Sequence, residues 1–419
     1  MWDPYAEVQS VVLPNGLTIY CSYWPGRAFE IIECIIHSGA DQDPDGKEGL
    51  AHFVEHVVVE NGIEPHALTQ QFFREHGDRV NFGTTEPAAT KYGFCLPADR
   101  NILAEALHRF GHRLFGAELT KEIEEQRLII LAEFRKKFPS QKRWEDFLEG
   151  HALLTRDGRL WKGGNGLGTE ETIQLIAQSD LQEFYDAHYT PANMSIVCSG
   201  GVPLSELVSL FEASPFAKMI PGKRTALQPI MTEVGDYSSR RKEVSVSEKN
   251  QGAGRNTCRY ETHALVPGTY AWPAVLQLCD LFGDRLHQEL RESHHLVYAV
   301  NVSLSRVNGT YYAIGVTCEG IALHAIERVE ELVDQTIMTV SNHEAICQRQ
   351  RQTARSGRIY FDPTVEGIAK GMIGDLITYQ RIKTRQEDID ASDAVTFQDV
   401  LNVLPFLAPE KRWTKITRP

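Results

Sequence analysis

His52, Glu55 and His56 fall within one five-residue stretch, His-Phe-Val-Glu-His, whose spacing lets two imidazoles and a carboxylate act at the same point. On a helix, positions i, i+3 and i+4 project from one face. Two neutral imidazoles suit Zn²⁺, and a glutamate held beside them can take a proton from a water molecule bound there. The pattern points to hydrolytic metal chemistry with Glu55 as general base. A polar helix stripe that carries two histidines would read the same way, so the motif is a hypothesis to be tested against the rest of the chain.

A catalytic zinc takes three protein ligands and leaves its fourth position to water or a scissile carbonyl. The third ligand must come from another element, and Glu133 is the candidate. Its segment, 120–137, opens with Thr120 as a capping residue, places acids in the first turn and ends in Arg135, Lys136 and Lys137, all of which are helix signals. Ile123, Ile130 and Phe134 recur at helical spacing, and Gln126 and Glu133 lie two turns apart on a neighbouring stripe. A solvated acid on an amphipathic helix fits the same segment, and for Glu133 by itself that reading is the stronger one.

The order of further segments adds a resemblance. His52-x-x-Glu55-His56, the inverse of the commoner zinc-protease order, is followed 77 residues later by Glu133. Leu13–Ile19 resembles the opening strand of the M16 (insulinase and mitochondrial processing peptidase-like) metallopeptidases, and Gly49-Leu50-Ala51 leads into the zinc helix as in that family. Asn81-Phe82-Gly83-Thr84 resembles the edge strand that the family presents to its substrate. Phe184–Met194 resembles the helix-to-strand junction that ends the family's first half. Arg291 and Tyr298, within Leu290-Arg291-Glu292 and Leu296-Val297-Tyr298, look like its Arg/Tyr substrate grip. The resemblance implies a zinc endopeptidase with one Zn²⁺ per chain held by His52, His56 and Glu133. It also implies that Arg291 and Tyr298 bind substrate and the tetrahedral intermediate, and that Asn81–Thr84 pairs with the peptide main chain. Cleavage of peptides or unfolded segments inside a closed chamber follows; a non-catalytic partner subunit or a peptide-binding chamber is the alternative.

Three positions depart from the family pattern. Gln126 replaces a usual glutamate seven residues before Glu133; its amide can hydrogen-bond a ligand but brings no charge. His295 stands where glycine is common, and Phe82 where alanine is.

The elements needed to hold such a site are legible in outline. Strands are expected at Ser10–Leu13, Leu17–Tyr20, Glu30–His37 and Ser195–Ser199, with helices near 47–60, 66–76, 99–115, 120–137 and 178–188. Prolines and glycines between 215 and 240 read as a linker. Beyond it come strands at Lys242–Ser247, Thr262–Val266, Tyr298–Ser305 and Tyr311–Cys318, a helix around Pro273–Arg291, and helices near 322–340 and 343–356. The strand–helix–strand order recurs without the metal motif, so the expected architecture is α+β: two tandem rolls, 1–214 and 241–419, each a mixed, mainly antiparallel sheet packed against helices. By resemblance, the rolls face each other across a cleft.

Composition narrows the class. The chain has 419 residues, 42% of them hydrophobic, and 43 Lys and Arg against 56 Asp and Glu give a formal charge of −13. This argues against nucleic acid and anionic membranes as main partners. The eight cysteines show no Cys-x-x-Cys framework, as expected of buried thiols in a reducing compartment. No signal-like N-terminus or bilayer-length apolar run is visible, so a cytoplasmic location is expected. Since the chain carries both the zinc motif and Arg291/Tyr298, a homodimer is expected, with a heterodimer of two family subunits as the alternative. His108 and His112 are also i, i+4, but flanking Arg109 and Arg113 disfavour a cation. His294 and His295 are adjacent and cannot face one point from a helix.

Overall fold

A computed structural model describes residues 3–62, 64–77, 79–141, 143–145, 166–224, 241–245, 257–307, 311–359 and 363–419. The chain divides into two compact units. The first is built on a six-stranded sheet in the order β1-β2-β6-β3-β5-β4, where β1 is Gln9–Val12, β2 Thr18–Tyr23, β3 Phe29–Ile36, β4 Arg79–Thr85, β5 Thr90–Pro97 and β6 Met194–Gly200. All its pairings are antiparallel except β2 with β6.

Both faces of this sheet are covered, which explains why β3 and β6 read as nearly continuous apolar runs. Ile32, Cys34 and Ile36 of β3 enter one core with Phe53, Val54, Val57 and Val58 of α1 (Leu50–Glu60), Phe73 of α2 (His66–Glu75), Leu103, Leu107 and Phe110 of α3 (Arg100–Phe115) and Ile130 of α4 (Ile123–Lys137). Ile31 and Ile35 point the other way, against Ile368, Ala369, Met372 and Leu376 of the helix Val365–Tyr379.

The helix bearing the histidines is anchored from outside its own sequence. Its N-cap, Gly49, has φ +97° and no side chain with which to cap. Asp43 does the work instead: its Oδ2 accepts the Gly49 amide at 2.7 Å and its Oδ1 the Ala51 amide at 2.8 Å. A carboxylate at a helix N-terminus also complements the dipole. Asp43→Ala is expected to cost about 1–2 kcal/mol of unfolding free energy, measured by urea denaturation, and Asp43→Asn to recover part of it. Equal stability of Asp43→Ala and the parent would refute this anchoring.

The second unit holds a five-stranded sheet, β7-β11-β8-β10-β9, formed by Arg241–Ser245, Cys258–Pro267, Ala299–Val307, Tyr311–Ile321 and Arg412–Arg418 as β7 to β11 in chain order. Helices Trp272–Leu286 and Ile326–Thr339 pack into its core through Val275, Leu278, Phe282, Val329 and Val333. Leaving β1 aside, the two sheets have the same strand order, and each has one parallel pair, β2 with β6 and β7 with β11. The expected α+β architecture and its internal repeat are therefore present.

Three expectations need correction. Residues 215–218 are not linker: Phe216 is 1% exposed in the first core, and its carbonyl accepts from Asn15 Nδ2. Residues 219–224 form no helix or strand, and the remainder of the expected linker, 225–240, and the end of the strand expected at Lys242–Ser247 lie outside the described residues. Residues 363–385 belong to the first unit and not the second, because the apolar face of Val365–Tyr379 is what covers Ile31 and Ile35. Thr120 does not cap α4; the helix begins at Ile123, after Glu122 takes the left-handed conformation with φ +54°.

Candidate metal centre

α1 and α4 bring the sequence candidates together. His52 Nε2 and His56 Nε2 each lie 3.7 Å from Glu133 Oε2, and one donor atom from each residue lies within 4.8 Å of the others. Tetrahedral zinc with ligands at about 2.0–2.2 Å sets neighbouring donors about 3.4 Å apart. The three side chains fit the ion with small adjustments. Among the described residues no other His, Cys, Asp or Glu group meets the same test; the His108 and His112 rings do stack edge to face, 4.4 Å apart, without a partnering acid.

The hydrogen bonds orient the donors. Gln126 is 4% exposed, and its Oε1 lies 3.2 Å from His56 Nδ1. A carbonyl oxygen can only accept, so Nδ1 carries the proton and Nε2 turns its lone pair toward Glu133. His52 Nδ1 is buried with no hydrogen-bond partner among the described residues, which leaves Nε2 as that ring's interacting nitrogen. Burial, and then the neighbouring His56, drive the His52 pKa down to about 3, favouring the neutral ligand form. His56 is pulled down by burial but raised on balance by the Glu133 carboxylate that faces it at 3.7 Å and by Glu55. Glu133 is held below the usual carboxylate range, first by the facing His56 ring. The site thus favours positive charge among these donors, whether a proton or a divalent cation.

Glu55 shares the cavity, of about 330 Å³, with the three donors. It is 8% exposed, and burial raises its pKa against the opposing bond from Thr85. Thr85 Oγ1 donates to Glu55 Oε2 at 2.7 Å. Gly83 closes the other side: a Cβ there would stand 2.2 Å from Glu55 Oε1. A raised carboxylate pKa beside three candidate metal donors has the character a general base would need.

The four residues of the expected substrate strand divide by face. Gly83 and Thr84 line the cavity. The Phe82 ring packs inward, 4.6 Å from His66 and 5.9 Å from Phe73, so the residue that replaces the usual alanine fills core and not a subsite. Asn81 belongs to the opposite face, paired with Gly93. β4 is the last strand of its sheet, and its ladder with β5 shifts register between Asn81 and Thr84. Arg291 and Tyr298 lie in the second unit, where the guanidinium sits 5.7 Å from the ring centroid of a Tyr298 that is 75% exposed. Arg291 is in a π-helical turn, His287–Ser293. His295 takes φ +53°, a conformation easy for the usual glycine, and its Nδ1 donates to the Arg291 carbonyl at 2.9 Å.

Sequence reasoning missed Lys137, Thr85 and Asp43. Lys137 lines the cavity one turn beyond Glu133, so its i+4 spacing was the available signal. Thr85 and Asp43 had none, since both reach their partners through tertiary packing.

Residues 25–154 match the family model described as insulinase (peptidase family M16), and residues 176–354 match that described as peptidase M16 inactive domain. The mitochondrial-processing peptidase subunit beta of Blastocladiella emersonii is 28% identical over 222 residues, 52% of this chain and 46% of that protein. An uncharacterized zinc protease of Mycobacterium leprae is 23% identical over 310 residues, 71% of this chain and 66% of that protein. The crystal structure of the periplasmic protease PqqL from Escherichia coli matches with a TM-score of 0.78 and 16% identity, covering 98% of this chain and 47% of that one. The chain thus spans about half the length of two of these proteins and about two thirds of the third. Matched by family models in both of its halves and sharing the fold, the chain belongs to the M16 peptidase family.

Proposed function

We propose that this chain is a zinc-dependent endopeptidase acting on peptides or unfolded segments. The observation that carries the proposal is the convergence of His52, His56 and Glu133 on one point, with the buried Glu55 carboxylate in the same cavity. Bound zinc would supply a Lewis acid for the scissile carbonyl and the attacking water. Glu55 accepts the water's proton and returns it to the leaving amine, while the Thr85 hydroxyl holds Oε2 in place. The outer edge of β4 offers main-chain groups to an extended peptide, which favours loose side-chain selectivity. Arg291 and Tyr298 are assigned to substrate binding on the strength of the family pattern. The second reading, a non-catalytic family member or peptide-binding chamber, is favoured by Gln126 in place of a glutamate.

Metal analysis paired with a quenched unfolded-peptide assay separates the readings. The expected result is about one zinc per chain, with hydrolysis abolished by a chelator and restored by Zn²⁺. Zinc without turnover would support a binding chamber; neither would support a scaffold.

A further inference from the structure

The face of the first sheet turned away from α1 carries an acid with no part in the chemistry above. Glu33 sits in the middle of β3, and its Oε2 is buried with no hydrogen-bond partner among the described residues. Lys91 does not satisfy it, giving its ammonium to Glu86 at 2.5 Å. Burial pushes the Glu33 carboxyl up to about 7 against the pull of Lys91. Its cross-strand neighbour is Gly93, where a Cβ would stand 2.3 Å from the Glu33 carboxyl carbon. Next in the same row is Asn81 of β4. The absent side chain at position 93 therefore lets the Glu33 carboxyl lie over β5, at the inner end of a trough that runs on toward Asn81 and the sheet edge. It lies in a cavity of about 440 Å³ whose apolar wall includes Ile31, Cys95 and Ile373 and whose other charges are Glu366 and the exposed Lys370.

We propose that this trough is a specificity subsite for a basic side chain: a peptide paired with β4 places one lysine or arginine beside Asn81, from where it reaches the Glu33 carboxyl that lies over Gly93. The proposal rests on the peptide-strand reading given above and adds a preference to it. Strands lie about 4.8 Å apart, so the added strand would stand about 14 Å from β3 in the sheet plane. A glutamate extending outward and a lysine or arginine extending inward close that distance; shorter side chains do not. Because alternate residues of a strand face opposite sides, only one position in two can use the trough. The negative charge here is local, and a buried carboxylate with an empty bonding position gains most from a cation that brings its own donors.

The test uses zinc-loaded Glu55→Gln protein, which binds peptide without turning it over. Dissociation constants are measured by fluorescence anisotropy for an unfolded peptide series carrying lysine, norleucine or glutamate at successive positions. At one position, and not at its immediate neighbours, lysine should bind about tenfold tighter than norleucine, and adding Glu33→Gln should bring that ratio to about one. Asn81→Lys, made at the rim and not in the core, should abolish the same preference by filling the trough, so the test survives if Glu33→Gln does not fold. A parent protein that binds no peptide or shows no position-specific lysine preference, or a preference that persists in both variants, would overturn the proposal. Hydrolysis by the wild-type chain is scored separately, so turnover without the subsite and the subsite without turnover are told apart.

Discussion

Glu55→Gln should keep its zinc and lose peptide hydrolysis by about 10²–10⁴-fold in kcat. The amide preserves the shape of the carboxylate and can still accept the Thr85 hydroxyl, but it cannot take a proton from water. His52→Ala, His56→Ala and Glu133→Ala should instead lose most of the metal, since each removes one of the three donors that lie within 4.8 Å of one another. The contrast is diagnostic, because misfolding would remove metal from all four variants alike. Glu55 is also a buried acid whose pKa burial raises, so the amide should leave unfolding stability undiminished. Zinc content by mass spectrometry, kcat on a quenched peptide and a thermal melt check the set. Full zinc in the three ligand variants would sink the metal assignment; full activity in Glu55→Gln would sink the base.

Gln126 carries the second large effect. Its Oε1 is the partner of His56 Nδ1 and so decides which nitrogen of that ring faces the metal. Gln126→Ala leaves a buried N–H unpaired and frees the ring to turn, and should cost about 10–100-fold in zinc affinity or in kcat/KM. Gln126→Glu keeps the acceptor and adds a charge, which makes the imidazole more basic and should tighten zinc binding. Competition with a chromogenic chelator gives the affinities. Wild-type values in both variants would show that the contact does not tune the centre.

What the sequence made legible follows from local periodicity. The i, i+3, i+4 spacing of α1 placed His52, Glu55 and His56 on one face, and the stripe through Gln126 and Glu133 survived even though the start of α4 was misplaced by three residues. Phase along a helix depends on 3.6-residue spacing and not on where the first turn begins. Contacts made across the fold left no such trace. Asp43 anchors α1 from six residues before Gly49, outside any capping pattern. β5 was not foreseen because Gly93 interrupts its apolar run and weakens the strand signal. The reason for that glycine appears only when Glu33 is seen opposite it. The M16 resemblance supplied Glu133, where the helix pattern by itself favoured a solvated acid.

The placement of Val365–Tyr379 bears on how the chain is made. The last strand of the first sheet, β6, ends at Gly200, yet the helix that covers Ile31, Ile35 and Val197 begins only at Val365. During synthesis the metal-bearing face can pack once residues through Phe216 have emerged, while the other face stays wet until Val365–Tyr379 has left the ribosome. Growing chains of this protein should therefore pass through a sticky intermediate with an uncovered apolar sheet. A product cut after residue 359 should need a chaperone or a detergent to stay in solution, however complete its zinc ligands are.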